Sequence, residues 1–166
     1  IHRRNINQSI DLNVIGTANL VKAINKKKIK MIFLSTSYLY PGKKGNYREK
    51  DPLLPWNNYG WSKLGAESVV QMYKNSLIIR ACMTEKPFVH KYAFTNVKCN
   101  FIFHDEFIKI LLKVLKFKGI INIGGKSQSI FNFAKKYKKD VMKKKSHNEL
   151  PSKIYMSLAK MKSLLK

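Results

Sequence analysis

Apolar positions along this chain switch between two spacings. Over residues 9–26 they fall at Leu12, Ile15, Leu20, Val21 and Ile24, a helical stripe, and Lys27 and Lys28 suit the electronegative end of that helix. Met31-Ile32-Phe33-Leu34 is a short apolar run, the pattern of a buried parallel strand. Turn formers crowd residues 41–55 and predict a loop. A second helix is expected over 57–73 and a second buried strand at Leu77-Ile78-Ile79. Beyond Arg80 the pattern weakens. A short strand is expected at 99–103, an apolar helix at 106–117, and a strand at 120–123 closed by Gly124-Gly125. A short helix at 130–141, a polar link at 143–151 and a last helix at 154–165 complete the reading.

Strands alternating with helices predict an α/β fold with a parallel sheet covered on both faces. Only two strong core strands are visible before residue 83. The expectation is therefore the C-terminal part of a larger doubly wound domain whose first strands precede Ile1. No apolar run approaches the roughly 20 residues a membrane helix needs, and no stretch reads as a secretory signal.

Charge changes this picture little. The chain of 166 residues carries 33 Lys and Arg against 9 acidic residues, a net charge of +24. Such a balance suits a polyanion partner. Yet only Arg3, Arg4, Arg48 and Arg80 are arginines, the usual residue for phosphate forks and base edges. The lysines are spread along the whole sequence, so a solvated surface is expected, with neither nucleic acid nor membrane as partner. Cys82 and Cys99 form no disulfide framework and cannot make a tetrahedral zinc site alone. A reduced, cytoplasmic setting is expected, and no metal.

The chemistry concentrates at Tyr59-Gly60-Trp61-Ser62-Lys63, near the start of a predicted helix. Spacing of four puts the phenol and the ammonium on one face, one turn apart. A neighbouring cation favours the phenolate and lowers its pKa from near 10. The phenol can then exchange a proton with a carbonyl or alcohol oxygen. Upstream, Leu34-Ser35-Thr36-Ser37 closes a predicted parallel strand, and ligands of open parallel sheets bind beyond the carboxyl ends of strands. Asn13 sits inside a predicted helix, where Asn is poorly suited unless its side chain has a task.

Three segments occur together in order: Asn13-Val14-Ile15-Gly16-Thr17, then Phe33-Leu34-Ser35-Thr36-Ser37-Tyr38-Leu39-Tyr40, then Tyr59-Gly60-Trp61-Ser62-Lys63-Leu64. This set resembles the extended short-chain dehydrogenase/reductases, closest in flavour to dTDP-4-dehydrorhamnose reductase and related NAD-dependent epimerases and dehydratases. The resemblance continues through Leu77-Ile78-Ile79-Arg80 and Asn122-Ile123-Gly124-Gly125. It implies a Rossmann-type sheet over residues 1–82 and a mixed, mostly substrate-binding region over 83–166 that returns one or two elements to the sheet. The implied activity is NAD(P)-dependent reduction of a keto-sugar nucleotide. Same-fold epimerase or dehydratase chemistry, or a non-catalytic relative, are the alternatives. A nucleotide-sugar is the implied partner, and a homodimer stays open.

The resemblance also implies roles. Tyr59 is the general acid/base, and Lys63 lowers its pKa and binds the nicotinamide ribose of NAD or NADP. Thr36 orients the reacting oxygen, with Ser35 on the cofactor side and Ser37 on the substrate side. Asn13 supports a proton-relay water, while Ala81 and Cys82 lie where backbone meets the nicotinamide. Two departures stand out. The family's glycine-rich pyrophosphate loop has no counterpart in these residues, and Ser37 stands where rhamnose-type reductases usually have Asp.

Overall fold

The computed structural model describes residues 5–165. Helix α1 (Ile6–Ser9) starts where the Asn5 side chain accepts a hydrogen bond from the Gln8 amide, satisfying one open donor of the first turn. It runs on through a π-helical segment (Ile10–Ile15) into α2 (Gly16–Ile24). The predicted helix is present, but its apolar stripe is split. The π turn, closed by the Gly16 amide on the Asp11 carbonyl, rotates later side chains around the axis. Val21 packs inward, while Leu12, Ile15 and Leu20 remain 47–62% exposed.

Strand β1 (Met31–Thr36) follows, then a 3-10 turn (Ser37–Leu39), helix α3 (Asn58–Gln71) and strand β2 (Ser76–Ala81). Next come the short strands β3 (Met83–Thr84), β4 (Tyr92–Phe94), β5 (Lys98–Cys99) and β6 (Ile102–Phe103), then helix α4 (His104–Val114). Strand β7 (Gly119–Ile123), β8 (Gln128–Ser129), helix α5 (Ile130–Lys135), β9 (Met142–Lys144) and helix α6 (Ala159–Leu164) complete the order.

The central sheet is parallel, in the order β1-β2-β7, with Thr36 opposite Ala81 and Ala81 opposite Ile123. All six residues of β2 are buried, as its central place requires. On one face Phe33 and Ile78 pack against Ala66 and Val70 of α3. On the other, Leu77, Ile79, Ile121 and Ile123 pack against Phe107 and Val114 of α4 and Met161 of α6. A separate core lies beyond the carboxyl ends of the strands, with Tyr40, Tyr47, Phe103, Phe133 and Met156 at its centre.

Three expectations from sequence are corrected. The single strand over 99–103 is two strands, β5 and β6, with different partners: β5 pairs antiparallel with β8 and β6 parallel with β3. The polar link over 143–151 contributes to β9, which pairs with β4. Helix α6 begins only at Ala159, because the preceding stretch runs extended: Met156 bridges to Tyr47 and Lys153 to Lys98.

The turn after β9 is tied by Glu149. Its carboxylate meets the Lys144 ammonium at 2.9 Å and accepts from the His147 amide at 2.8 Å. The Lys144 hydrogen bond, with backbone amides behind it, holds this carboxyl down to about 2. A carboxyl lowered on folding contributes stability above its unfolded pKa, and that contribution disappears as pH falls through the folded value. The tie should therefore persist through pH 4.5 and be lost near pH 2. An NMR titration of the Glu149 side chain checks this, and a midpoint near 4 would refute it.

Candidate active site

Strand β1 delivers Thr36 to the carboxyl edge of the sheet, and the chain then turns sharply. The Thr36 hydroxyl accepts a hydrogen bond from the Tyr38 amide at 3.2 Å, capping the 3-10 turn. Across the intervening loop, Asn57 caps α3 by accepting from the Gly60 amide at 2.7 Å. Tyr59 enters on this first turn, and its phenol shares a hydrogen bond with the Thr36 hydroxyl.

Gly60 makes that approach possible. A Cβ there would lie 2.8 Å from both Pro55 Cβ and the Tyr38 carbonyl. Gly60→Ala should push the start of α3 away from the turn after β1, at about 1–3 kcal/mol of stability. It should also weaken the Tyr59–Thr36 contact. Denaturant unfolding reads the first effect, and an unchanged stability would count against this packing.

Burial pushes the Tyr59 phenol up, and the Thr36 hydrogen bond pulls against that. Lys63, one turn further along α3, rests its ammonium over the Phe33 ring, 4.2 Å from the centroid. Burial lowers the Lys63 pKa, while the nearby Glu67 carboxylate opposes this. In place of the lowering expected from Lys63, desolvation raises the Tyr59 pKa, and Thr36 is the neighbour seen to favour the phenolate.

The other sequence-derived residues divide. Asn13, inside the π-helical segment, donates to the Ser62 hydroxyl at 2.9 Å, and Ser62 donates to the Tyr59 carbonyl at 2.9 Å. It is thereby tied to the Tyr59 turn. Ala81 stands beside Thr36 in register. Ser35 does not join them through its side chain, because alternation along β1 turns it the other way, where its hydroxyl donates to Glu67 at 2.6 Å. The side chains of Ser37 and Cys82 are buried against each other, with Cys82 hydrogen-bonded to Cys99. The sulfur therefore belongs to the core beyond the strands. Among the described residues, no cluster of His, Cys, Asp and Glu could hold a metal ion.

Two features were not foreseen. The first is a buried polar network behind the site. Arg80 grips Glu67 through Nη2 at 2.6 Å and Nε at 3.2 Å, and its Nη1 donates to the Tyr40 hydroxyl at 2.8 Å. Tyr40 in turn donates to Asn122 at 2.9 Å. The Arg80 and Glu67 side chains are 2% and 0% exposed. The second is Tyr38, whose ring meets Tyr59 edge-on at 6.1 Å and Trp56 at 4.9 Å. Tyr38 also lines a pocket of about 340 Å³ with Phe88, His90, Lys91, Tyr92 and Lys144. The signal for Tyr38 lay within the motif of β1, but nothing nearby in sequence pointed to its pocket partners.

A parallel sheet with helices on both faces, carrying Thr36 and Tyr59 at its carboxyl edge, defines a Rossmann-like α/β fold. The family model described as RmlD substrate binding domain matches residues 4–85, just under half of the chain. A curated N-acetyl-alpha-D-glucosaminyl-diphospho-ditrans,octacis-undecaprenol 4-epimerase from Escherichia coli O157:H7 is 41% identical over 66 residues, 39% of this chain and 20% of that protein. Among solved structures, a hypothetical dTDP-4-dehydrorhamnose reductase from Sulfolobus tokodaii is similar with a TM-score of 0.79 at 24% identity, over 91% of this chain and 64% of that one. A dTDP-4-dehydrorhamnose reductase from Bacillus anthracis in complex with NADP gives 0.79 at 19% identity, over 96% and 69%. A UDP-glucuronic acid 4-epimerase from Bacillus cereus in complex with NAD gives 0.74 at 24%, over 94% and 61%. The chain thus spans a fifth of its curated relative and about two thirds of these structures.

Proposed function

We propose that the protein carrying this chain is an NAD(P)-dependent enzyme that reduces a keto-sugar nucleotide. The observation that carries this reading is the Thr36–Tyr59 hydroxyl pair at the carboxyl edge of the sheet, joined through Tyr38 to an aromatic, lysine-bearing pocket. The pocket volume, near the lower end of the usual range for small-molecule sites, suits part of such a substrate. Aromatic walls suit a base, and Lys91 suits a phosphate.

The residues present fit the nicotinamide end of the cofactor. Lys63 and Tyr59 would hold its ribose, with Ala81 beside the ring. Among the described residues no glycine-rich loop stands ready for the pyrophosphate. When bound, the cofactor supplies the hydride. The chain's own part is proton transfer and orientation. Thr36 and Tyr59 together fix the reacting oxygen, Tyr59 gives it a proton, and Asn13 steadies the turn that carries Tyr59 through Ser62.

The 41% identical stretch of the epimerase relative favours a second reading, in which the same Tyr and Lys serve epimerisation. The full-length protein, incubated in one assay with reduced cofactor and a dTDP-4-keto-sugar and in another with NAD and a 4-hydroxy sugar nucleotide, separates the two. A reductase oxidises one NAD(P)H to NAD(P)+ for each product formed. An epimerase interconverts sugar nucleotides without net consumption. Binding of cofactor and sugar with no turnover of either kind would leave the non-catalytic relative.

A further inference from the structure

The lysines that look dispersed along the sequence are gathered by the fold. Three turns enter the parallel sheet at its amino edge, over residues 25–30, 72–75 and 115–118, ahead of β1, β2 and β7. They hold Lys26, Lys27, Lys28 and Lys30, then Lys74, then Lys116 and Lys118, with no Asp or Glu among them. Direct contacts fuse the turns into one surface. The Lys30 ammonium donates to the Phe117 carbonyl at 2.7 Å, and Asn75 donates to the Lys28 carbonyl at 3.1 Å. The Tyr73 hydroxyl donates to the Ile29 carbonyl. An open depression of about 540 Å³ lies between them, lined by Lys28, Met72, Lys74, Asn75 and Lys118.

Helix ends do not account for this charge. Helices α2, α3 and α4 all terminate here. Each contributes about half a negative charge, so together they offset roughly one and a half of the seven positive charges. None of the ion pairs among the described residues involves these lysines. Burial and then the charge of Lys118 lower the Lys30 pKa, as expected where positive charge is uncompensated.

We propose that this amino-edge surface docks the protein on an anionic lipid membrane. Met72 decides between polyanions. It stands among the lysines, 82% exposed, with Ile29 49% exposed nearby. An apolar thioether gains nothing against a sugar-phosphate backbone, but it gains by entering the acyl boundary of a lipid layer whose headgroups hold the lysines. The three turns also contain no arginine and no exposed aromatic ring for a base to stack on. This docking differs from the partner list expected from the linear sequence, which contained no membrane. It does not depend on the proposed reaction. The strands separate the two ends of the sheet by about 20 Å, so a docked protein presents the Thr36–Tyr59 edge to water.

The test is co-sedimentation of the full-length protein with phosphatidylcholine vesicles, with and without about one third phosphatidylglycerol, at roughly 0.1 M salt. Binding should require the anionic lipid. Substituting Lys27, Lys74, Lys116 and Lys118 together by Ala should weaken it roughly five-fold per lysine, more than a hundredfold in total. Met72→Gln should weaken it several-fold. Removing the same charge elsewhere, at Lys109, Lys136, Lys139 and Lys145, should cost far less. Far-UV circular dichroism checks that the variants, all at exposed positions, remain folded. Equal binding to neutral vesicles, or equal loss from the two quadruple variants, would overturn the proposal. So would a short DNA duplex that binds more tightly than vesicles, depends on the same four lysines and ignores Met72.

Discussion

If the proposed reading holds, replacing Tyr59 by Phe in the full-length protein should cut turnover by about 10²–10⁴-fold while leaving cofactor affinity close to its starting value. Phe keeps the ring that meets Tyr38 edge-on and removes only the hydroxyl shared with Thr36. Lys63→Met should damage both quantities. Methionine keeps much of the apolar stem but deletes the ammonium that rests over Phe33, and with it the donor proposed for the ribose. Thr36→Val should fall nearer the Tyr59 variant, since Thr36 is the group that eases ionisation of the buried phenol. Cofactor titration by fluorescence beside steady-state kinetics reads all three. Near-normal turnover in Tyr59→Phe would remove Tyr59 from the catalytic reading.

The second large effect concerns stability. Glu67→Gln should cost about 3–5 kcal/mol, because it leaves the Arg80 guanidinium buried beside a neutral amide. Arg80→Met should cost a similar amount by stranding the Glu67 carboxylate, and it also removes the donor to Tyr40. The double variant Glu67→Gln with Arg80→Met should recover part of the loss, since neither substitution then leaves a buried charge unpaired. Urea unfolding of the four proteins closes the cycle. If the single losses simply add in the double variant, the two groups are not a coupled pair. A further consequence of Glu67→Gln is local: Lys63 loses the anion that offsets its burial.

How much of this was legible depended on what each residue's neighbours along the chain revealed. Strands β1 and β2 were visible because both faces are covered, so their apolar runs are unbroken. The Tyr59 and Lys63 spacing was visible because both lie on one helix. Glu67 was not. The buried residues of α3 are Gly60, Ser62, Ala66, Glu67 and Val70, so its inner face carries no apolar period, and the mate of Glu67 lies on a strand 13 residues away. Ser35 and Thr36 are adjacent in sequence yet face opposite directions, so a motif that names both cannot say which one reaches Tyr59. Strands β3, β5, β6 and β8 have two residues each, too few for any period to show. The first helix also carries a π turn, which no apolar count reveals.

The register of the central sheet bears on how the chain finds its structure. Met31 pairs with Ser76 and Leu77 with Gly119, and β4 meets β9 with Tyr92 opposite Met142. Each pairing closes a loop of roughly 40–50 residues before it returns any contact, and no two neighbouring strands of the central sheet are joined by a hairpin. The entropy of closing such loops must be met first. Chains of this kind fold more slowly than helical bundles of equal length. Helix α3, whose contacts with both β1 and β2 span the first of these loops, is the element best placed to shorten that search.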